Sequence, residues 1–171
     1  MVDIDKCRIT HYPADVLGKK AEPVKEINDN IKQLVEKMYE LMRENRGVGF
    51  AAPQAGVSLR LFIISLDGSR ENVKVFVNPA VTPYGNLDTI EEGCLSVPGV
   101  SAKIRRYKQA KVTATGLDGR EFSEEAEGLY ARALQHENDH LEGVTIVNRL
   151  GSAAKISNRK QLKKLQENAS D

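Results

Sequence analysis

Apolar side chains recur at three- and four-residue steps in "NDNIKQLVEKMYELMREN", near the start of the chain. This spacing predicts an amphipathic helix, which Asn28 or Asp29 can cap and which Gly47 follows. The next segment, "GVGFAAPQAG", is rich in glycine, proline and alanine. Because these residues disfavour a regular helix or a central strand, we expect a loop whose backbone approaches another group closely.

Runs of β-branched and aromatic residues predict strands in the middle of the chain. "LRLFIISL" and "NVKVFVNP" flank the turn sequence "DGSREN" and should form a hairpin. "QAKVTATGLDGREFSEEA" should form a second hairpin around Asp118 and Gly119. Between them, "NPAVTPYGNLDTIEEGCLSVPGV" is rich in proline and glycine, so we expect it to wind between short strands.

Helical spacing returns at Gly128 in "LYARALQHENDHLEG", and Gly143 is its expected end. A C-terminal helix is predicted at about 155–168, with Ser152 as a candidate cap. A helix, then strands, then helices, without regular alternation, indicates an α+β fold. Because no internal repeat or linker divides the sequence, we expect a single domain over residues 1–171.

Composition narrows the functional classes. The chain has 171 residues, of which 40% are hydrophobic, and no apolar run approaches the length of a membrane span. Since 25 Lys and Arg residues balance 24 Asp and Glu residues, we expect no general affinity for nucleic acid. The first residues, "MVDIDKCRIT", resemble no targeting segment, so a cytoplasmic location is expected. The two cysteines, Cys7 and Cys94, are then free thiols or metal ligands.

The sequence "QHENDH" contains two histidines four positions apart, with a glutamate after the first. Residues four apart on a helix point the same way, so His136 and His140 can bind one cation while Glu137 stays within reach of a bound water. Leu129 and Ala133 continue that face and would place apolar side chains beside the metal. Histidines at this spacing are also common as solvated or core residues, but the adjacent glutamate supplies the base that metal-assisted hydrolysis needs.

A catalytic metal usually takes three protein ligands and keeps a position for water. A zincin-like metallopeptidase would supply its third ligand downstream, where no histidine follows His140 and Glu142 lies only two residues on. Upstream, Cys94 stands in "EEGCLSVPG", where Gly93 permits close backbone approach and "LSV" is typical of a strand. Cys94 alone could be a small buried residue, but its thiolate would complete a Cys/His/His set.

Three segments together resemble the signature motifs of the peptide deformylases, in order and with suitable separations. They are "GVGFAAPQ" at 47–54, "EGCLSV" at 92–97 and "QHENDH" at 135–140. The chain departs from the family pattern at Phe50, where leucine is usual, and at Ser101, where a larger residue is common. The resemblance implies small mixed or antiparallel sheets around a central helix that contains His-Glu-x-x-His, followed by a C-terminal helix.

The resemblance also implies an activity: removal of the N-formyl group from the initiator methionine of nascent polypeptides, with release of formate. A cation on the three candidate ligands would make a bound hydroxide available near neutral pH. Glu137 would take the water's proton and pass it to the departing nitrogen. By resemblance, the side-chain amide of Gln54 and the backbone N–H of Leu95 stabilise the developing oxyanion. Ferrous iron is the implied ion, with zinc, nickel or cobalt as substitutes, all of which suit sulfur and imidazole ligands.

Further residues are candidates for binding substrate or for orienting the ligands. Gly49 would let the loop lie against an extended substrate backbone. We expect Arg132 to place its aliphatic stem at a pocket edge while its charge reaches water. The apolar pocket candidates, for which a plain core role is the alternative and for Ile90 the favoured one, are Val48, Ile90, Leu129 and Ala133. The candidates for orienting the histidines or the cysteine loop are Glu92, Arg106 and Asp139.

The C-terminal stretch 149–171 has a local excess of positive charge. Its six basic residues, Arg149, Lys155, Arg159, Lys160, Lys163 and Lys164, face two acidic ones, Glu167 and Asp171. Such a run is often only a solvated helix face, whereas the resemblance implies docking on the ribosome. Two other functions stay open from the residues: a zincin-like metallopeptidase, and a non-catalytic module that binds a metal or a formyl-peptide.

Overall fold

A computed structural model of the protein describes residues 1–169, and the acidic residue Asp171 lies outside the described residues. The first helix and the strands are α1 (Asp29–Glu44), β1 (Gly49–Ala51), β2 (Leu61–Ile64), β3 (Lys74–Gly93), β4 (Ser101–Thr115) and β5 (Glu121–Glu127). The later helices are α2 (Gly128–Leu141), α3 (Ile146–Arg149), α4 (Ser152–Ser157) and α5 (Arg159–Asn168). Within residues 1–169, no helix is both long and apolar enough to cross a membrane.

The strands form an antiparallel sheet in the order β1-β2-β3-β4-β5. The α+β prediction is confirmed, although the described strands make one five-stranded sheet instead of several small ones. Helix α2 packs against all five strands. Its Ala131 and Leu134 are buried in one cluster with Phe62 and Phe76 of the sheet. The helix that carries the two histidines is therefore held in the interior of the fold.

The prediction that the segment after the first hairpin winds between short strands is wrong, because most of it belongs to one long strand, β3. It runs without a break for 20 residues and pairs with β4 along most of its length. Register shifts occur at 77–80 and 84–87, where Pro79 and Gly85 lie. β-Bulges tolerate such residues because local ladder hydrogen bonds are already missing there. Both predicted hairpins are present, as β2 with β3 and β4 with β5.

The segment predicted as a loop after α1 is partly a strand. β1 forms the edge of the sheet through only three residues, all of them buried. A short 3-10 turn, Ala52–Ala55, follows it. Its place at the edge agrees with the expectation that this segment does not form a central strand, and among the described residues no strand lies on its other side.

The helix ends agree with the sequence in part. Asn28 caps α1 by accepting a hydrogen bond from the Ile31 backbone N–H at 3.2 Å. Gly143 adopts a left-handed conformation just beyond α2, as expected. The single C-terminal helix predicted at about 155–168 is instead two helices, α4 and α5, and Ser152 begins α4 without a side-chain cap hydrogen bond.

Helix α5 packs on the segment that follows Cys94. Leu165 is buried in one cluster with Val97 and Val100. Gln161 donates a hydrogen bond to the carbonyl of Pro98 at 2.7 Å. The C-terminal helix therefore supports the loop that carries the cysteine.

Candidate active site

Helix α2 and the end of β3 bring three candidate metal ligands together. One ligand atom from each of Cys94, His136 and His140 lies within 4.8 Å of the others. The Cys94 Sγ is 3.3 Å from His140 Nε2, and the centroids of the His136 and His140 rings are 5.2 Å apart. A thiolate with two imidazoles is a donor set that suits zinc, iron, nickel or cobalt. This cluster can therefore hold one such ion.

Cys94 reaches the histidines because β3 ends directly before it, at Gly93. The chain then turns, with the Val97 N–H bonded to the Cys94 carbonyl at 2.9 Å, so the strand expected after the cysteine is absent. The N-terminal segment crosses this turn. Its Thr10 and Tyr12 backbone N–H groups donate to the carbonyls of Gln54 and Ser96, each at 2.8 Å. One extended segment thus ties the Cys94 turn to the Gln54 turn.

Gln54 is fixed beside the cysteine. It is almost wholly buried, and its Oε1 accepts a hydrogen bond from the Ala51 N–H at 2.8 Å. This contact leaves the amide NH₂ to point at Cys94, with Nε2 3.6 Å from Sγ. Leu95, the next residue along, also lines the cavity described below. Phe50, where the chain departs from the deformylase pattern, is fully buried in the main core.

Glu137 lies between the ligand cluster and the edge strand β1. Its side chain is buried, and its Oε2 has no hydrogen-bond partner within residues 1–169. A Cβ added at Gly49 would collide with this carboxyl group, so the absence of a side chain there makes room for it. Burial raises the pKa of Glu137 to about 7, against the opposing attraction of His136 and Arg106.

Glu92 joins His136 to a network of buried charges. Its Oε2 lies 3.1 Å from His136 Nδ1, and its carboxylate accepts hydrogen bonds from Arg106 and Arg132. Arg106 also donates to Asp139 at 2.8 Å. Burial opposes ionisation of Glu92, but the bonds to His136 and Arg106 outweigh it and lower its pKa to about 2. With Nδ1 held by this carboxylate, His136 Nε2 is left for the metal cluster.

This environment shifts the pKa values of the two histidines in opposite directions. Burial works against protonation of His136, yet the hydrogen bonds with Cys94 and Glu92 raise its pKa well above the ordinary value. For His140, burial and the neighbouring positive charges of His136 and Arg106 lower the pKa. The neutral form of His140 is the form that binds a metal.

Arg132 corrects one expectation. Its side chain is 8% exposed, and its guanidinium donates to Glu92 and, at 3.0 Å, to the Ile104 carbonyl. The charge therefore does not reach water, although the residue does line the cavity as expected.

A cavity of about 700 Å³ opens beside the ligand cluster. Cys94, His136 and Glu137 form part of its wall. All the residues predicted to contact substrate also line it: Val48, Gly49, Ile90, Leu129, Arg132 and Ala133. Ile90 is 49% exposed and Leu129 57% exposed, so the core role favoured for Ile90 is wrong.

Several residues near the site were not predicted from the sequence. His11 and Arg46 line the cavity, and Arg149 bonds to Asp139 from the end of α3. Arg46 directly precedes the first motif, and that position was the available signal. His11 comes from a distant part of the chain and carries no motif of its own.

Comparison with known proteins agrees with this geometry. The model of the polypeptide deformylase family matches residues 6–156. Peptide deformylase 1 of Clostridium perfringens is 46% identical over 135 residues, covering 78% of this chain and 90% of that protein. The peptide deformylase of Neisseria gonorrhoeae is 40% identical over 159 residues, covering 93% and 95%.

A solved structure shares the fold. Peptide deformylase from Plasmodium falciparum superimposes with a TM-score of 0.92 at 29% identity, covering 95% of this chain and 97% of that one. The family match spans all three motifs and the ligand cluster. The chain belongs to the polypeptide deformylase family of hydrolases.

Proposed function

We propose that the chain removes the N-formyl group from the initiator methionine of nascent polypeptides and releases formate. The observation that carries this proposal is the placement of Glu137, with an unpartnered carboxylate oxygen, beside the Cys94, His136 and His140 cluster in the wall of a cavity. A module that only binds a metal has no need of a buried carboxylate there. The family membership supports the same reaction class.

We propose Cys94, His136 and His140 as the ligands of one divalent ion, with ferrous iron as the physiological ion and zinc, nickel or cobalt as substitutes. The residues fit such an ion, because three soft or borderline donor atoms converge within 4.8 Å and one imidazole is oriented by Glu92. When bound, the ion would polarise the formyl oxygen and lower the pKa of a water at the site.

Glu137 is the proposed general base and acid. Its Oε2 accepts a proton from the attacking water and returns it to the amine nitrogen, because amide cleavage needs a protonated leaving group. Two facts support this assignment: the oxygen lacks a partner among the described residues, and the carboxyl lies against Gly49 at the cavity wall.

Gln54 and Leu95 are the proposed donors to the oxyanion. The bond from the Ala51 N–H to Gln54 Oε1 fixes the amide, so its Nε2 is aimed at the site before substrate arrives. The Leu95 backbone N–H follows Cys94 directly on the same turn. A preorganised donor of this kind typically contributes about 3 kcal/mol to transition-state stabilisation.

The methionine side chain is proposed to enter the apolar part of the cavity. Val48, Ile90, Leu129 and Ala133 would contact its thioether, and the stem of Arg132 would complete the wall. The open edge of β1 at Gly49 would pair with the substrate backbone in extended form.

The decisive experiment offers formyl-Met-Ala-Ser and its acetylated analogue to protein loaded with ferrous iron or nickel. We expect formate release from the first peptide and little reaction with the second. Cleavage of internal peptide bonds would favour a zincin-like metallopeptidase, and binding without reaction would favour a non-catalytic module. Glu137→Gln should retain metal and lose most turnover, whereas Cys94→Ala should lose metal retention.

We also propose that the chain is one catalytic domain that works in the cytoplasm and meets the ribosome through α5. Arg149 pairs with Asp139 and so contributes little to the basic surface, whereas Lys160, Lys163 and Lys164 are exposed. Recognition would be electrostatic, without sequence specificity for nucleic acid.

Deletion of α5 would remove Leu165 and Gln161 from the loop after Cys94, so charge reversal is the cleaner test. Changing Lys160, Lys163 and Lys164 to Glu should weaken co-sedimentation with ribosomes in a salt-dependent way and spare hydrolysis of a short formyl-peptide. Three reversals at other exposed positions serve as the control: Lys25, Lys111 and Arg120. Equal co-sedimentation of both variants would contradict ribosome docking through α5.

A further inference from the structure

Arg46 is an exposed cation in the wall of the cavity, three residues before Gly49. Within residues 1–169 its guanidinium has no hydrogen bond or ion pair. Its backbone has a φ of 56°, a left-handed conformation that residues other than glycine and asparagine rarely adopt. This conformation follows from the end of α1, where the Gly47 N–H bonds to the Met42 carbonyl at 2.9 Å. The exposed, unpaired guanidinium beside the site is what makes Arg46 a candidate for contact with a ligand.

The edge strand β1 fixes the direction in which an extended substrate leaves the site, if the proposed function holds. The formyl end must lie beside Gly49, because the Glu137 carboxyl is there. Beyond Gly49 in one direction, Phe50 and Ala51 are fully buried and leave no room for a peptide. In the other direction, Val48 is exposed and the cavity continues past it to Arg46.

The spacing of an extended chain then locates the part of the peptide near Arg46. Each residue advances about 3.3 Å, so the third residue lies two steps, about 7 Å, beyond the methionine. In an antiparallel pairing that starts at Gly49 it lies opposite Gly47, next to Arg46. Side chains alternate between faces, so the third residue points the same way as the methionine, toward the cavity. The second residue points away from it.

Several other charged side chains of the cavity wall already have partners. Glu92 and Arg132 are buried and paired with each other. Glu91 accepts a hydrogen bond from Ser101 Oγ at 2.7 Å, and Asp88 accepts one from the Thr89 N–H at 2.8 Å. Lys108 is a second exposed cation of the wall without an ion pair among the described residues, but it lies on β4 and not beside Val48. Arg46 is therefore the unpaired cation that lies next to Val48 along the chain, on the side where the peptide leaves.

We propose that Arg46 is a specificity-determining residue that favours an acidic side chain at the third position of the formylated peptide. The chemistry is an ion pair between the guanidinium and a carboxylate at the water-exposed mouth of the cavity. Pairs of this kind are weak and are screened by salt. A modest, salt-sensitive preference in KM is the expected signature, with little effect on kcat.

The experiment compares formyl-Met-Ala-Glu, formyl-Met-Ala-Gln and formyl-Met-Ala-Lys, all with an amidated C-terminus so that no other carboxylate is present. At low salt we expect kcat/KM to fall in that order, by about two- to fivefold at each step. Arg46→Gln should make the three rates similar, and Arg46→Glu should reverse the order. Arg43→Gln is the matched control, because Arg43 is also exposed but contacts the Tyr39 ring and does not line the cavity.

Equal rates for the three peptides on the unchanged protein would overturn the inference. It would also fail if Arg46→Glu kept the original order, or if Arg43→Gln abolished the preference as fully as Arg46→Gln. Absence of formate release from all three peptides is a different result, which would overturn the proposed function itself together with the inference that rests on it.

Discussion

Gly49 lacks a side chain, and the carboxyl of Glu137 occupies the space that a Cβ would need. We expect Gly49→Ala to displace that carboxyl and lower kcat by about 100-fold, since small displacements of catalytic groups cost this much. Metal content should not change, because Gly49 is not one of the clustered ligands. Single-turnover kinetics with metal analysis would measure both. Gly151→Ala is the control, since its added Cβ meets no atom within 4 Å, and a Gly49→Ala enzyme with the control's rate would contradict the proposed role of Glu137.

Glu92 carries the negative charge that offsets two buried arginines. We expect Glu92→Gln to lower the free energy of unfolding by about 3 kcal/mol, because Arg106 and Arg132 would stay buried with less compensation. Metal affinity should fall about 10- to 100-fold as His136 loses its anionic partner. Urea denaturation and metal titration test the two effects.

The control for Glu92 is its neighbour on β3. Glu91 is exposed and bonds only to the Ser101 hydroxyl among the described residues. Glu91→Gln should therefore leave stability and metal affinity close to those of the unchanged protein. Similar losses in both variants would mean that general charge on β3, and not the buried network, supports the site.

The end of α2 depends on a glycine that lies against another part of the backbone. Gly143 has a φ of 73°, and its Cβ would lie 2.9 Å from backbone atoms of Gly18 and Lys19. Gly119 has nearly the same φ, 78°, but an added Cβ there meets no atom within 4 Å. We expect Gly119→Ala to lower the free energy of unfolding by about 1 kcal/mol, because alanine disfavours the left-handed backbone conformation. Gly143→Ala should lower the free energy of unfolding at least about twice as much, measured by urea denaturation. Equal losses would show that the backbone of Gly18 and Lys19 moves away from the added Cβ without a loss of stability.

Helices and hairpins could be predicted from the sequence because their signals are local. The apolar spacing of α1 and the Asp118 and Gly119 turn between β4 and β5 both depend on neighbouring residues. The length of β3 could not be predicted, since Pro79 and Gly85 normally break strands and are accommodated here at register shifts along the pairing with β4. That pairing is a long-range contact, which no local pattern reports.

In the candidate site, too, residues with a local signal could be predicted from the sequence, and those placed by long-range contacts could not. The helical spacing of His136 and His140 indicated a shared face directly, whereas Cys94 was inferred from the need for a third ligand and from the resemblance. The burial of Arg132 was not predicted, because its partners Glu92 and Ile104 lie on strands β3 and β4, which are distant in sequence from helix α2. The position of Arg132 on helix α2 alone predicts a side chain that reaches water. The acceptors that keep its guanidinium buried lie on the sheet.

The ligand cluster joins the turn after β3 to helix α2, so a bound ion should stabilise the entire fold as well as enable the reaction. An ion present at 1,000 times its dissociation constant adds about 4 kcal/mol to the free energy of unfolding. For a chain of this size, that corresponds to a Tm increase of roughly 10 °C. We therefore expect a chelator to abolish formate release and to lower Tm by about this amount.

Readdition of ferrous iron or nickel under anaerobic conditions should restore both Tm and formate release. The Cys94→Ala variant is the control, because a protein that retains no metal should have a Tm that does not respond to the chelator. Differential scanning calorimetry with and without chelator on both proteins measures the difference. A Tm drop of equal size in the variant would place the stabilising ion elsewhere, and an unchanged Tm in a protein that loses activity would mean that the ion does not hold these two elements together.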